Sequence, residues 1–292
     1  MKTKMKAAIG AIFSFASACA WANPHRWQLN MTEGVTEVSR AVQVLHMQIF
    51  YICVVIGVLV FGAMFYSMYK FRKSKGAVAA TWSHSTVAEI IWTVVPIVIL
   101  VVMCIPATRV LYQMYDTSKP EMTVAITGYQ WLWEYEYQGE NVKISSRLDR
   151  ESDQTRRLKS GRDPYAVENY LINVDNRLIL PIDTKIRFVV TADDVIHAWW
   201  VPDFSIKQDA IPGFINEAWT KIDKVGFYRG QCAELCGKDH GFMPIVVEAV
   251  TKAEFQTRLA QMRLAQSRTE QNPLDPQPVL AGAPALNQSS FE

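Results

Sequence analysis

Cysteine is scarce in this chain, and it is scattered. Five in 292 residues, at positions 19, 53, 104, 232 and 236, cannot supply the disulfide framework that staples small secreted domains. Charge of one sign is also missing. Thirty Lys and Arg against 28 Asp and Glu leave a net +2, which argues against a nucleic-acid partner, since such a partner calls for a strongly basic face. There is no Cys-x-x-Cys-His, so the tail does not read as a fused c-type haem domain. There is also no phosphate loop, hydrolase triad or internal repeat. The most informative absence is local. No charged residue occurs from Gln48 to Tyr69, and none from Ile90 to Thr108.

Each of these runs is long enough, at about 1.5 Å per helical residue, to cross most or all of a hydrocarbon core of about 30 Å. Neither has a polar face, so a pair of buried helices in a globular core is the weaker reading. Pro96 and Pro106 would break a helix in water but are tolerated in a packed membrane helix. We place the spans at about 48–69 and 89–112. Lys70, Arg72, Lys73 and Lys75 lie between them with no acid before Glu89, and the positive-inside rule puts that loop in the cytoplasm. Residues 1–22 read as a secretory signal: Lys2, Lys4 and Lys6, a short apolar run, then Ala20-Trp21-Ala22. The alternative is a lipoprotein signal with Cys19 as the modified residue. Export of the N-terminus and the basic loop give the same topology, with both chain ends outside the cytoplasm. Residues 23–45 read as a short surface helix or a linker. Cys53 and Cys104 lie in apolar runs and count as small hydrophobes.

After Pro120 the composition changes. Residues 123–137 are β-branched and aromatic, and strand-like pieces follow at 170–174, 185–191, 196–201, 218–222, 226–231 and 245–250, with turn residues between most of them. This predicts an all-β Greek-key sandwich or barrel. The segment 149–164 carries dense charge of both signs and reads as a solvated loop, with room for a short helix. Phe255, Leu259, Met262 and Leu264 are helically spaced. From Thr269 the chain is polar and expected to be disordered.

The stretch 230–243, Gly-Gln-Cys-Ala-Glu-Leu-Cys-Gly-Lys-Asp-His-Gly-Phe-Met, concentrates the chemistry. Cys232, Cys236, His240 and Met243 are spaced by four, four and three. Thiolates, an imidazole and a thioether suit copper, and Gly230, Gly237 and Gly241 are expected to let the loop fold tightly. Two thiolates can bridge two metals. His240 would then serve one metal, and His197, in Asp-Val-Ile-His-Ala-Trp-Trp, is the best candidate for the other. Met243 and the Glu234 backbone carbonyl would be weak extra ligands. Two plainer readings stand beside this one: a Cys232–Cys236 disulfide and a structural Cys2His2 zinc site. Neither of them uses Met243.

The whole string, with Pro-Ile-Val-Val-Glu after it, closely resembles the dinuclear copper loop of cytochrome c oxidase subunit II. Further matches are Gly-Tyr-Gln-Trp-Leu-Trp-Glu-Tyr at 128–135, Asp-Asn-Arg-Leu-Ile-Leu-Pro at 175–181, Asp-Asp-Val-Ile-His-Ala-Trp at 193–199 and Lys-Gln-Asp-Ala-Ile-Pro-Gly at 207–213. The resemblance implies a membrane-anchored all-β protein, with a two-helix transmembrane hairpin (23–116) carrying a cupredoxin-like Greek-key barrel (117–252) on the periplasmic side of a bacterial inner membrane. A C-terminal helix (253–268) follows. It implies a copper A pair held by His197, Cys232, the Glu234 carbonyl, Cys236, His240 and Met243, and a magnesium ion held by the Glu234 carboxylate at the subunit I interface. Relatives that oxidise quinol lack the copper ligands. Here every ligand position is filled, which favours cytochrome c as donor. Electrons would enter at Trp131 and leave for the haem of subunit I, where oxygen is reduced and protons are pumped. Trp133 would be structural. Glu89, in the family's Glu-x-x-Trp, would stand at a proton-path entrance, while Glu136, Asp194 and Asp209 would steer the basic cytochrome. Subunit III and membrane lipid complete the implied partners. A copper-delivery module outside any oxidase is the alternative.

Overall fold

A computed structural model describes residues 28–271; the export signal, Cys19 and the tail from residue 272 lie outside them. Helix α1, Glu37–Lys70, begins at Thr36, whose hydroxyl accepts from the Ser39 N–H while the Ser39 hydroxyl accepts from the Thr36 N–H. Such a reciprocal cap is worth about 1 kcal/mol. No proline interrupts the chain from here to Lys70, so the segment expected to be a separate surface helix or linker runs straight into the first span. At about 51 Å, α1 is longer than a bilayer core, and its first turns stand against the β domain. Val35 donates to the Asp203 carbonyl, Asp223 donates back to Val35, and Arg40 pairs with Asp223. Helix α2, Thr86–Met114, returns beside α1 and keeps both prolines within it. Both helices are apolar enough to cross a membrane. Gln113 joins the two ends, accepting from the Trp219 indole through its carbonyl and donating to Glu37 through its amide.

Ten strands follow. The first sheet holds β1 (Met122–Tyr129), β2 (Leu132–Tyr137), β3 (Val142–Ser146), β5 (Ile186–Ala192) and β8 (Asn216–Thr220) in the order β3-β2-β1-β5-β8. The second holds β4 (Leu178–Pro181), β6 (His197–Val201), β7 (Ile206–Ala210), β9 (Gly226–Cys232) and β10 (Pro244–Val250) in the order β4-β10-β9-β6-β7. The β1–β5 and β4–β10 pairs are parallel and the others antiparallel. In β1, β2 and β5 alternate residues turn inward: Val124 and Ile126, then Trp133, Tyr135 and Tyr137, then Ile186, Phe188 and Val190. The two sheets share one core, giving the expected cupredoxin-like sandwich on a two-helix anchor. Helix α3 (Arg150–Thr155) lies in the charged segment, and helix α4 (Lys252–Gln271) is the last element among the described residues. From α4, Phe255, Leu259 and Met262 are buried, and Phe255 packs against Tyr137.

Several elements differ from expectation. The stretch 123–137 is two strands of a hairpin. Residues 170–174 form no strand, because Asn169 and Leu171 take positive φ and only Val174 makes an isolated bridge, to Leu148. Strands β3, β4 and β7 were not anticipated, since each is short or rich in polar residues. The last helix runs three residues past Arg268, and Leu264 is exposed on it.

Candidate metal centre

One end of the sandwich gathers the start of β6, the end of β9, the start of β10 and the β1–β2 turn. His197 opens β6, at the opposite end of that strand from the corner that holds α1, and is fully buried. Its imidazole fits because Gly128 faces it across the sandwich. A Cβ on Gly128 would lie 2.9 Å from the ring. The edge of Trp133 packs on the ring at 5.8 Å between centroids. Nε2 of His197 is 2.9 Å from Asp194 Oδ1. A carboxylate can only accept, so Nε2 carries the proton and Nδ1 keeps its lone pair, aimed at Cys232 Sγ 3.9 Å away. Asp194 is itself fixed by the backbone N–H groups of Gln130 (2.7 Å) and Val195 (2.6 Å). Burial works against its charge, but hydrogen bonds from His197, Val195 and Gln130 hold the carboxyl below the usual range.

Cys232 ends β9, paired with Trp199, and Ala233 is tied to the Ala198 carbonyl. Its Sγ is 3.4 Å from the Glu234 carbonyl oxygen and 3.8 Å from Cys236 Sγ. Cys236 Sγ is in turn 3.5 Å from both His240 Nδ1 and Met243 Sδ. Cys232, Cys236 and Met243 are all buried. The donors therefore form two sides, with His197 and the Glu234 carbonyl beside one sulfur and His240 and Met243 beside the other. A disulfide holds its sulfurs at about 2.0 Å, so these two are unbonded. Sulfurs that each bind the same metal at about 2.3 Å can be no more than about 4.6 Å apart, and 3.8 Å satisfies that limit. His197, Cys232 and Cys236 alone bring three ligand atoms within 4.8 Å of one another. The buried thioether on the Cys236 side is a donor that zinc seldom uses and copper does.

The two thiols are electrostatically unlike. Burial raises the Cys232 thiol, but the His197 imidazole beside it and the backbone of Ala198 and Glu234 outweigh that and bring it down to about 7. Burial, together with the neighbouring Cys232 charge, pushes Cys236 up to about 12. Two sulfurs this close do not both hold bare negative charge, so one keeps its proton unless a cation takes that proton's place.

The loop between these residues is held from outside. Gln130 Nε2 donates to the Cys236 carbonyl at 2.8 Å, and Trp133 Nε1 to the Met243 carbonyl at 3.4 Å. Of the three glycines expected to shape it, only Gly237 takes a positive φ (123°). Gly230 is a strand residue, where a Cβ would strike the Trp200 carbonyl oxygen, and Gly241 faces open space. Trp131, in the β1–β2 turn, packs on Gly237 beside Cys236, with Lys238 Nζ 5.5 Å above its ring. Asp209 is exposed on β7, opposite Ala198 and so one residue from His197. Glu136 lies further along β2, across from Lys143. Glu234 is exposed. Glu89 lies in the first turn of α2, at the far end of the hairpin from the sandwich. Sequence reasoning missed the work of Gln130 and Asp194 as positioning groups, although Asp194 stands three residues before His197. Trp199, two residues from His197, points into the core toward Tyr135 and Phe188, and it is Trp133 that packs on the imidazole.

Comparison with known proteins agrees with this arrangement. Residues 122–250 match the family model for the periplasmic domain of cytochrome C oxidase subunit II, and residues 24–110 match that for its transmembrane domain. The chain belongs to the cytochrome c oxidase subunit II family. The probable cytochrome c oxidase subunit 2 of Rickettsia bellii is 37% identical over 246 residues, covering 84% of this chain and 88% of that one. Cytochrome c oxidase subunit 2 of Arabidopsis thaliana is 34% identical over 257 residues, covering 88% and 96%. Among solved structures, the periplasmic domain of subunit II of cytochrome oxidase from Bradyrhizobium japonicum is 37% identical, covers 51% of this chain and 97% of its own, and superposes with a TM-score of 0.45. Membership makes the chain a membrane-anchored subunit of a haem-copper oxidase, and the cluster at the end of the sandwich its candidate copper site.

Proposed function

We propose that this chain is the subunit at which a cytochrome c oxidase receives electrons from cytochrome c. The observation that carries the reading is the two-sided set of donors around buried sulfurs 3.8 Å apart. Cys232 and Cys236 would hold a copper pair between them, with His197 and the Glu234 carbonyl as donors on one side and His240 and Met243 on the other. When bound, such a copper A pair supplies one-electron chemistry between cytochrome c and the haem of subunit I, where oxygen is reduced to water and protons are pumped. The chain's own contribution is a pre-formed and water-poor cradle. Asp194 keeps Nδ1 of His197 available, Trp133 covers the imidazole, and Gln130 pins the loop at Cys236.

Trp131, half-buried and packed on Gly237 of this loop, is the point at which electrons enter. Glu136 and Asp209 steer the cytochrome, with Asp194 sharing that role beside its bond to His197. The exposed Glu234 carboxylate is placed to share a magnesium ion with subunit I. The basic loop faces the cytoplasm, the sandwich lies in the periplasm, and Glu89 opens a proton path into subunit I, with subunit III beside it.

The test uses the full chain purified in detergent and supplied with copper. It should turn purple and, in its mixed-valence form, show one unpaired electron coupled equally to two copper nuclei in electron paramagnetic resonance. Cys232→Ser should abolish that coupling. Trp131→Ala should keep it and slow reduction by bound cytochrome c. Uptake of a single zinc, or coupling to one copper nucleus only, would refute the reading.

A further inference from the structure

The turn that carries two of the proposed ligands has no cap of its own. Residues His240–Phe242 form a single 3-10 turn after Asp239, and the Asp239 carboxylate does not bond to the turn's backbone. It reaches instead to the charged segment read from sequence as a solvated loop. Arg156 Nη1 is 3.2 Å from Asp239 Oδ1, and the Arg156 guanidinium carbon lies 4.2 Å over the ring of Phe242. The other edge of the guanidinium is held by Asp153, with Nε and Nη2 within 3.0 Å of Oδ1. Arg156 closes α3, and α3 is anchored: Ser152 and Thr155 are buried, the Asp149 side chain caps the helix, and the Ser152 hydroxyl accepts from the Leu171 N–H. The two residues that Arg156 grips are immediate neighbours of His240 and Met243.

We propose that Arg156 is a positioning residue for the metal centre, a clamp whose ion pair to Asp239 and stack on Phe242 hold the His240–Met243 turn against Cys236. A planar guanidinium lies flat on a ring while its edges pair with carboxylates on two sides, a fork that an ammonium does not offer. The inference rests on the copper reading for its spectroscopic test but not for its geometric one. Arg157, one residue on, is exposed and pairs only with Asp153. It provides a control that changes charge on the same helix without touching the turn.

The experiment compares Arg156→Met, Arg156→Lys, Asp239→Asn and Arg157→Met in the full chain, with thermal unfolding checked for each. Without metal and under reducing conditions, the rate at which a thiol reagent reaches Cys236 should rise about tenfold in Arg156→Met and by less in Asp239→Asn, as expected for losing a partly buried pair and a stack. It should stay at the wild-type rate in Arg157→Met. With copper, Arg156→Met should lose metal faster to a chelator and shift the reduction potential and copper hyperfine coupling, with Arg156→Lys only partly restoring them. If Arg156→Met and Arg157→Met match in labelling rate and in potential, the clamp is wrong. If the wild type binds no copper pair, the copper reading fails by itself, and the labelling rates still decide the clamp.

Discussion

On α1 and α2 the large apolar side chains face outward: Leu59 is 68% exposed and Leu100 64%. At the site end of the sandwich the polar and sulfur-bearing groups face inward, and His197 is 0% exposed and Met243 1%. The hairpin has apolar surface that nothing among the described residues covers, so its burial falls to lipid and partner helices. The site gathers soft donors that a cation could hold together. Each region is finished by something outside the chain, and the two needs are chemically opposite. Substitutions should therefore separate them cleanly.

The largest effect is expected where charge meets the apolar surface. Leu100→Lys puts a cation near the middle of α2 and should cost about 2.5–3.5 kcal/mol of insertion. With α1 still anchoring the chain, protease access should find the β domain on the same side of the membrane as the basic loop in part of the population. Unchanged topology would mean that this part of α2 does not lie in hydrocarbon. Next comes Asp194→Asn, which removes the obligate acceptor that fixes the His197 tautomer. Copper affinity, measured against a competing chelator, should fall by about 10–100-fold with insertion intact. An unchanged affinity would show that Asp194 does not orient the ligand. Gly128→Ala sharpens the contrast further. Its Cβ would meet the His197 ring, and overpacking of this kind costs about 1–3 kcal/mol. A lower unfolding temperature and an altered copper spectrum should result, whereas Gly57→Ala on α1, with nothing within 4 Å, should change neither. Equal tolerance at both glycines would remove the close approach from the account. The smallest and most selective change is Glu89→Ala. Turnover of the assembled oxidase should slow while the copper spectrum stays normal, and full turnover would leave Glu89 as a helix anchor only.

Much of this was legible in residue order because local physics decided it. An uncharged run of membrane length has few other places to go, and the spacing of Cys232, Cys236, His240 and Met243 puts four soft donors on one short loop whatever surrounds it. Alternation marked β1, β2 and β5. Where the chain's local signal was weak, in β3, β4 and β7, pairing with neighbours far along the sequence made the strand. The positive φ at Asn169 and Leu171 overrode a strand-like composition.

The sequence by itself determined the anchor, the kind of domain it carries and the identity of the loop donors, since hydropathy, alternation and ligand chemistry act over a few residues. Only the tertiary structure decided how those donors are held. The space beside Gly128, the bond from Gln130 that fixes Asp194, the cover of Trp133 and the grip of Arg156 on the His240 turn all join residues tens of positions apart. No local rule ties such residues together, because closing the chain into two sheets is what makes them neighbours.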